Sequence, residues 1–182
     1  MEFIGKGEHE SVAMLLDAFH EAARVASKEA YFACFHSQES RFLGTDSKEN
    51  WTALEFLEFA GPYFDAAKEK GGAAWEYTPI AGSRKVDIIN NIAYFDELMT
   101  SVSFKATTRG NGVAIRSGDG GKWTLLQYHL SFPIPNPIAV SFCNVMAEWE
   151  ENQKAEDPGD DAEKILMEVL IKRRREALSE KK

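Results

Sequence analysis

The chain has 182 residues, with 21 lysines and arginines against 29 aspartates and glutamates, a formal net charge of −8. Apolar types make up 44% and charged types 27%, a balance that builds a packed core and excludes global disorder. The acidic excess argues against nucleic acid as a partner, and no apolar run approaches the roughly 20 residues of a bilayer span. Two cysteines, Cys34 and Cys143, give no disulfide framework and fit a reducing, cytoplasmic setting. The opening MEFIGKGEHES lacks the basic-then-apolar pattern of a secretory leader.

Val12, Leu15, Leu16, Phe19, Ala22, Ala23 and Ala26 recur at spacings of three and four, which predicts a helix over 11–26. Ser27 reads as the N-cap of a second, short helix carrying Tyr31, Phe32 and Phe35. A short strand is expected over 41–45. Asp46 and Glu49 have capping-box spacing and are expected to open a third helix with Trp51, Leu54, Leu57 and Phe64. Gly61-Pro62 predicts a kink in it, and Gly71-Gly72 its end.

From residue 73 the texture becomes β-type, with runs over 75–80, 84–89, 92–99, 107–116 and 122–132. Asn90-Asn91 is a two-residue hairpin turn, because asparagine tolerates positive φ. Asp119-Gly120-Gly121 serves the next hairpin. Helices followed by an antiparallel meander make the fold class α+β. The prolines of Phe132-Pro133-Ile134-Pro135-Asn136-Pro137 end the sheet. Ile138, Phe142, Val145 and Trp149 then share one face of a fourth helix, at about 137–152. Residues 1–152 are read as one domain. Residues 153–182 are read as an acidic linker and a C-terminal helix, the latter expected to dock through Ile165, Leu166, Val169, Leu170 and Ile171.

Four stretches carry a resemblance. They are Phe42-Leu43-Gly44-Thr45-Asp46 with Glu49 and Trp51; Ala93-Tyr94-Phe95-Asp96-Glu97; Arg109-Gly110-Asn111-Gly112-Val113; and Trp123 through Gln127-Tyr128 to Ser131-Phe132-Pro133-Ile134-Pro135-Asn136. Over roughly residues 8–150 the chain resembles the SnoaL-like branch of the nuclear transport factor 2-like, ketosteroid isomerase-like superfamily. The resemblance implies a cone of curved antiparallel sheet packed by N-terminal helices, with a pocket on the concave face and a dimer through the outer face. Its enzymes include ketosteroid isomerases, polyketide cyclases, epoxide hydrolases and dehydratases, beside non-catalytic association domains, so fold does not fix chemistry.

The candidate residues follow from strand parity. On 123–132 the more apolar face, Thr124, Leu126, Tyr128, Leu130 and Phe132, is expected to turn inward. Trp123, Leu125, Gln127, His129 and Ser131 are then an outer, dimer-forming face. On 92–99 composition does not choose between the two faces, and likeness to the association domains favours Asp96 as concave. Asp96 is then the candidate catalytic acid/base; the alternative is a rim carboxylate paired with Arg84 or Arg109. Trp51, Tyr63, Tyr77, Tyr94 and Tyr128 are the candidate ligand pocket, or plain core. Glu97, Arg109, Trp123, Gln127, His129 and Ser131 are interface candidates.

No phosphate-binding glycine loop, nucleophile elbow or zinc spacing occurs, so neither metal nor cofactor is expected. The first helix offers Leu15, Leu16 and Phe19 where the isomerases place a tyrosine, and no Asp-Arg-Asp set assembles on one strand face. The reading is a dimeric protein that binds a small apolar or aromatic molecule. The alternative is a cofactor-independent lyase or isomerase using Asp96.

Overall fold

The computed structural model describes residues 6–118 and 120–153. The C-terminal extension and Asp119 of the second hairpin lie outside the described residues. The elements are α1 (Lys6–Arg24), α2 (Lys28–Phe32), β1 (Arg41–Leu43), β2 (Asn50–Thr52), α3 (Ala53–Glu69), β3 (Tyr77–Pro79), β4 (Lys85–Ile89), β5 (Ile92–Ser101), β6 (Thr107–Arg116), β7 (Trp123–Ser131) and α4 (Asn136–Gln153). The chain divides after Pro133 into two units, the second carrying α4.

The apolar stripe of α1 is buried along its length, from Val12 to Ala23. The helix ends where Ala26 turns left-handed (φ 51°), and the Ser27 N–H reaches back to the Ala22 carbonyl at 2.8 Å. Ser27 stands at the N-cap of α2, but its side chain makes no capping bond. The reciprocal cap of α3 is Thr52 with Glu55, not Asp46 with Glu49. The Asp46–Glu49 pair instead closes the turn between β1 and β2: the Asp46 N–H donates to the Glu49 carboxylate at 3.1 Å. Trp51 consequently lies on β2, ahead of the helix. Pro62 lies within α3, which continues to Glu69.

The sheet runs β2-β1-β7-β6-β5-β3, and β4 also pairs with β5. Along β5, residues 92–96 pair with β4 and residues 99–101 with β3. The Asn90-Asn91 turn forms as expected, with Asn90 at φ 56°. The sheet is mixed rather than wholly antiparallel, because β1 lies parallel to β7. A run of strands with tight turns fixes its own pairing; a strand isolated before α3 does not.

One irregularity decides which side chains face the helices. Val113 pairs with Gln127 while the next residue, Ala114, pairs with Leu125, so Leu126 is an extra residue in β7. On the N-terminal side of this bulge, Leu125 is held by a second partner. Its N–H donates to the Cys34 carbonyl at 2.7 Å, and its carbonyl accepts the His36 N–H at 2.8 Å. Trp123 and Leu125 therefore share the inner face with Tyr128 and Leu130, all four buried. The expected outer placement of Trp123 and Leu125 is corrected: strict alternation fails by one residue at the bulge. Gln127, His129 and Ser131 stay on the opposite face.

In α4, Ile138, Val140, Phe142 and Met146 are exposed. Among the described residues, no helix is long and apolar enough to cross a membrane.

Candidate functional site

On β5 the buried residues are Ala93, Phe95, Glu97, Met99 and Ser101. This reverses the expected parity. Tyr94 is 49% exposed, and the Asp96 carboxylate lies 3.3 Å from the Arg109 guanidinium with both side chains nearly half exposed. Asp96 is thus a carboxylate paired with Arg109 on the face away from the helices. Glu97, read as an interface residue, has 0% exposure.

A buried carboxylate must be fully partnered, and Glu97 is. One oxygen lies 2.5 Å from Nε2 of His20 on α1, and the other accepts from Nε of Arg84 at 2.7 Å. Arg84, just ahead of β4, also donates to the Ala13 carbonyl at 3.1 Å and meets the exposed Asp17 carboxylate at 2.8 Å. Burial alone would raise the Glu97 carboxyl. His20 first and then Arg84, each through its hydrogen bond and electrostatic attraction, outweigh it and hold the group below the usual glutamate value. Two carboxylates therefore flank one arginine. Sequence parity could not assemble this set, because its members come from a helix, a loop and a strand.

His20 is 8% exposed and lines a cavity of about 240 Å³. The walls are chiefly aromatic: Trp51, Phe56, Trp75, Tyr77 and Tyr128 contribute, as do Phe19 and Phe42. Among the described residues, the polar groups on the walls are His20, Thr45, Glu49, Ser103 and the tyrosines, and no lysine or arginine lines the cavity. Burial pushes the Tyr77 hydroxyl up to about 12, helped by the Glu49 charge. Burial also raises Tyr31 and Tyr128 well above the usual tyrosine value. These phenols are hydrogen-bond donors at neutral pH and not bases.

Two glycines shape the site. A Cβ on Gly44 would collide with the Glu49 carboxylate, and one on Gly110 with the Tyr128 hydroxyl. Gly110 thus gives the Tyr128 side chain room to lie across β6, where its hydroxyl is 3.9 Å from the Met99 sulfur.

Of the sequence candidates, Trp51, Tyr77 and Tyr128 line the cavity. Tyr63 is 57% exposed and meets Phe59, which does line it, in a tilted ring contact. Tyr94 and Asp96 do not line it. His20 was missed, although a signal existed: it stands four residues after Leu16 and three before Ala23, inside the apolar stripe.

The model of the SnoaL-like domain matches residues 12–135. No curated protein is similar in sequence. Among solved structures, a domain of unknown function with a cystatin-like fold from Nostoc punctiforme superposes with a TM-score of 0.62 at 11% identity, over 94% of this chain and 99% of that one. An NTF2-like protein of unknown function from Pseudomonas putida gives 0.56 at 11%, over 74% and 92%. An NTF2-like protein with a cystatin-like fold from Novosphingobium aromaticivorans gives 0.54 at 12%, over 74% and 88%. At such identities these structures establish the fold alone. With the domain match spanning most of the chain and the α+β architecture in agreement, the protein belongs to the SnoaL-like family, within the NTF2-like fold.

Proposed function

We propose that the protein binds a small apolar or aromatic molecule in the cavity beside His20. The observation that supports this most is the cavity itself: about 240 Å³ walled mainly by aromatic rings, with a few polar groups on its surface. A lyase or isomerase reaction there would need a base other than Asp96, which lies on the opposite face of the sheet. Naphthalene, followed through quenching of tryptophan fluorescence, tests the binding reading. Trp51→Ala is expected to weaken binding about tenfold, equivalent to about 1.4 kcal/mol, with Trp75 left as reporter. Tyr94→Ala, on the outer face, is expected to leave it unchanged. Equal affinity in Trp51→Ala, or a loss in Tyr94→Ala, would overturn the assignment.

We further propose a cytoplasmic homodimer through the outer sheet face. Ile92, Tyr94 and Leu126 are exposed there, among the more polar Arg109, Gln127, His129 and Ser131, a composition common at interfaces. Sedimentation should give a dimer, and Tyr94→Glu should shift it to monomer. A wild-type monomer at high concentration would end this reading.

A further inference from the structure

We propose that His20 accepts a proton from the hydroxyl of a phenol or enol bound in the aromatic cavity, with Glu97 as its positioning residue. The proposal rests on the reading of the cavity as a ligand site and assigns that site its chemistry.

The tautomer follows from the contacts. The Glu97 carboxylate is kept ionised by Arg84 and can only accept hydrogen bonds. The 2.5 Å contact therefore requires the proton on Nε2 of His20. A neutral ring then carries its lone pair on Nδ1, the nitrogen not committed to Glu97. His20 lines the cavity, which makes it a wall residue rather than an inert core histidine.

Charge points the same way. Asp17, Arg84 and Glu97 together carry one net negative charge, and a proton taken up by His20 makes the four-residue cluster neutral. Among the described residues, the other titratable groups near the ring or on the same cavity are Tyr128, at 6.3 Å between ring centroids, and Tyr31, Tyr77 and Glu49.

The lining also selects the acid. A carbon acid is a much weaker acid, and among the described residues the walls meet its developing oxyanion with neutral hydroxyls and no lysine or arginine. A phenol or enol starts with its proton on oxygen and is far more acidic than the matching carbon acid, so an imidazole can take that proton with only neutral donors on the walls. In the transfer the O–H bond breaks and its electron pair stays on oxygen. The Nδ1 lone pair forms the new N–H bond, leaving an imidazolium beside an oxyanion. Nothing is oxidised or reduced.

The probe is 4-nitrophenol, whose acidity is close to that of imidazole and whose anion absorbs in the visible. At about pH 7, wild-type protein should raise the anion band above that of the free probe, to saturation. His20→Asn should abolish the band while quenching still reports binding within about threefold of wild type. In Glu97→Gln the amide can donate to Nε2 and shift the ring proton to Nδ1. The band should then fall about tenfold and its midpoint should move to higher pH, a change that a purely structural role would not produce. Nitrogen NMR of the wild-type complex, which needs no variant to fold, should show both ring nitrogens of His20 protonated. Binding without the anion band, or a band that survives in His20→Asn, would overturn the proton transfer alone. Failure of the probe to bind at all would overturn it together with the ligand site.

Discussion

Glu97→Gln is expected to lower the free energy of unfolding by about 3 kcal/mol, measured by urea denaturation at neutral pH. The carboxylate is fully buried, and its loss leaves the Arg84 guanidinium, itself mostly buried, without its inner partner. An amide can restore a hydrogen bond but not the charge. The effect has a pH signature with a definite sign. Burial raises the Glu97 carboxyl, but His20 and Arg84 lower it further, so its folded value lies below the unfolded one. Its contribution is fully present above the unfolded glutamate value of about 4.3 and is lost as pH falls through the folded value. The gap between wild type and Glu97→Gln should therefore close over that acidic window and stay constant above it. A variant as stable as wild type at neutral pH, or a gap that widens in acid, would contradict the pairing. The double variant Glu97→Gln with Arg84→Met removes both charges and should recover part of the loss.

Phe64→Ala is expected to cost about 4 kcal/mol and to lower the melting temperature by about 10 °C. Phe64, on α3, has no exposure, and its ring meets Tyr31 at 5.1 Å, Phe32 at 6.1 Å and Trp75 at 4.8 Å between centroids. Removing it opens a void that three large rings cannot close by small shifts. The loss is comparable to the whole stability of a typical domain, so Phe64→Leu, at about 1.5 kcal/mol, provides a milder member of the series. Phe64 is not on the cavity wall, and the folded fraction of either variant should still bind the naphthalene probe. A loss under about 1 kcal/mol in Phe64→Ala would show that this aromatic cluster is not the packed centre.

Local signals were legible where one residue type answers one backbone need. The stripe of α1 and the Asn90-Asn91 turn are of this kind. Parity on β5 was not legible, because Tyr94 and Phe95 are both aromatic and Asp96 and Glu97 both acidic. What separates them is His20 and Arg84, which are 77 and 13 residues from Glu97 in sequence. The same holds for the pocket: residue type picks out tyrosine as a wall group, and strand parity alone tells Tyr77 from Tyr94. The Asp46–Glu49 spacing also marks a real hydrogen bond. That spacing suits a tight turn as well as a helix start, and Thr52 with Glu55 takes the helix.

The extra residue in β7 makes the length of this strand more informative than the identity of the residue inserted. Leu126 itself is exposed, so its side chain is no part of the inner wall. Its presence, however, is what allows Trp123 and Leu125 to point the same way as Tyr128 and Leu130. Among relatives of this chain, a one-residue gap at this point would mark a different inner wall, even where every flanking residue matched.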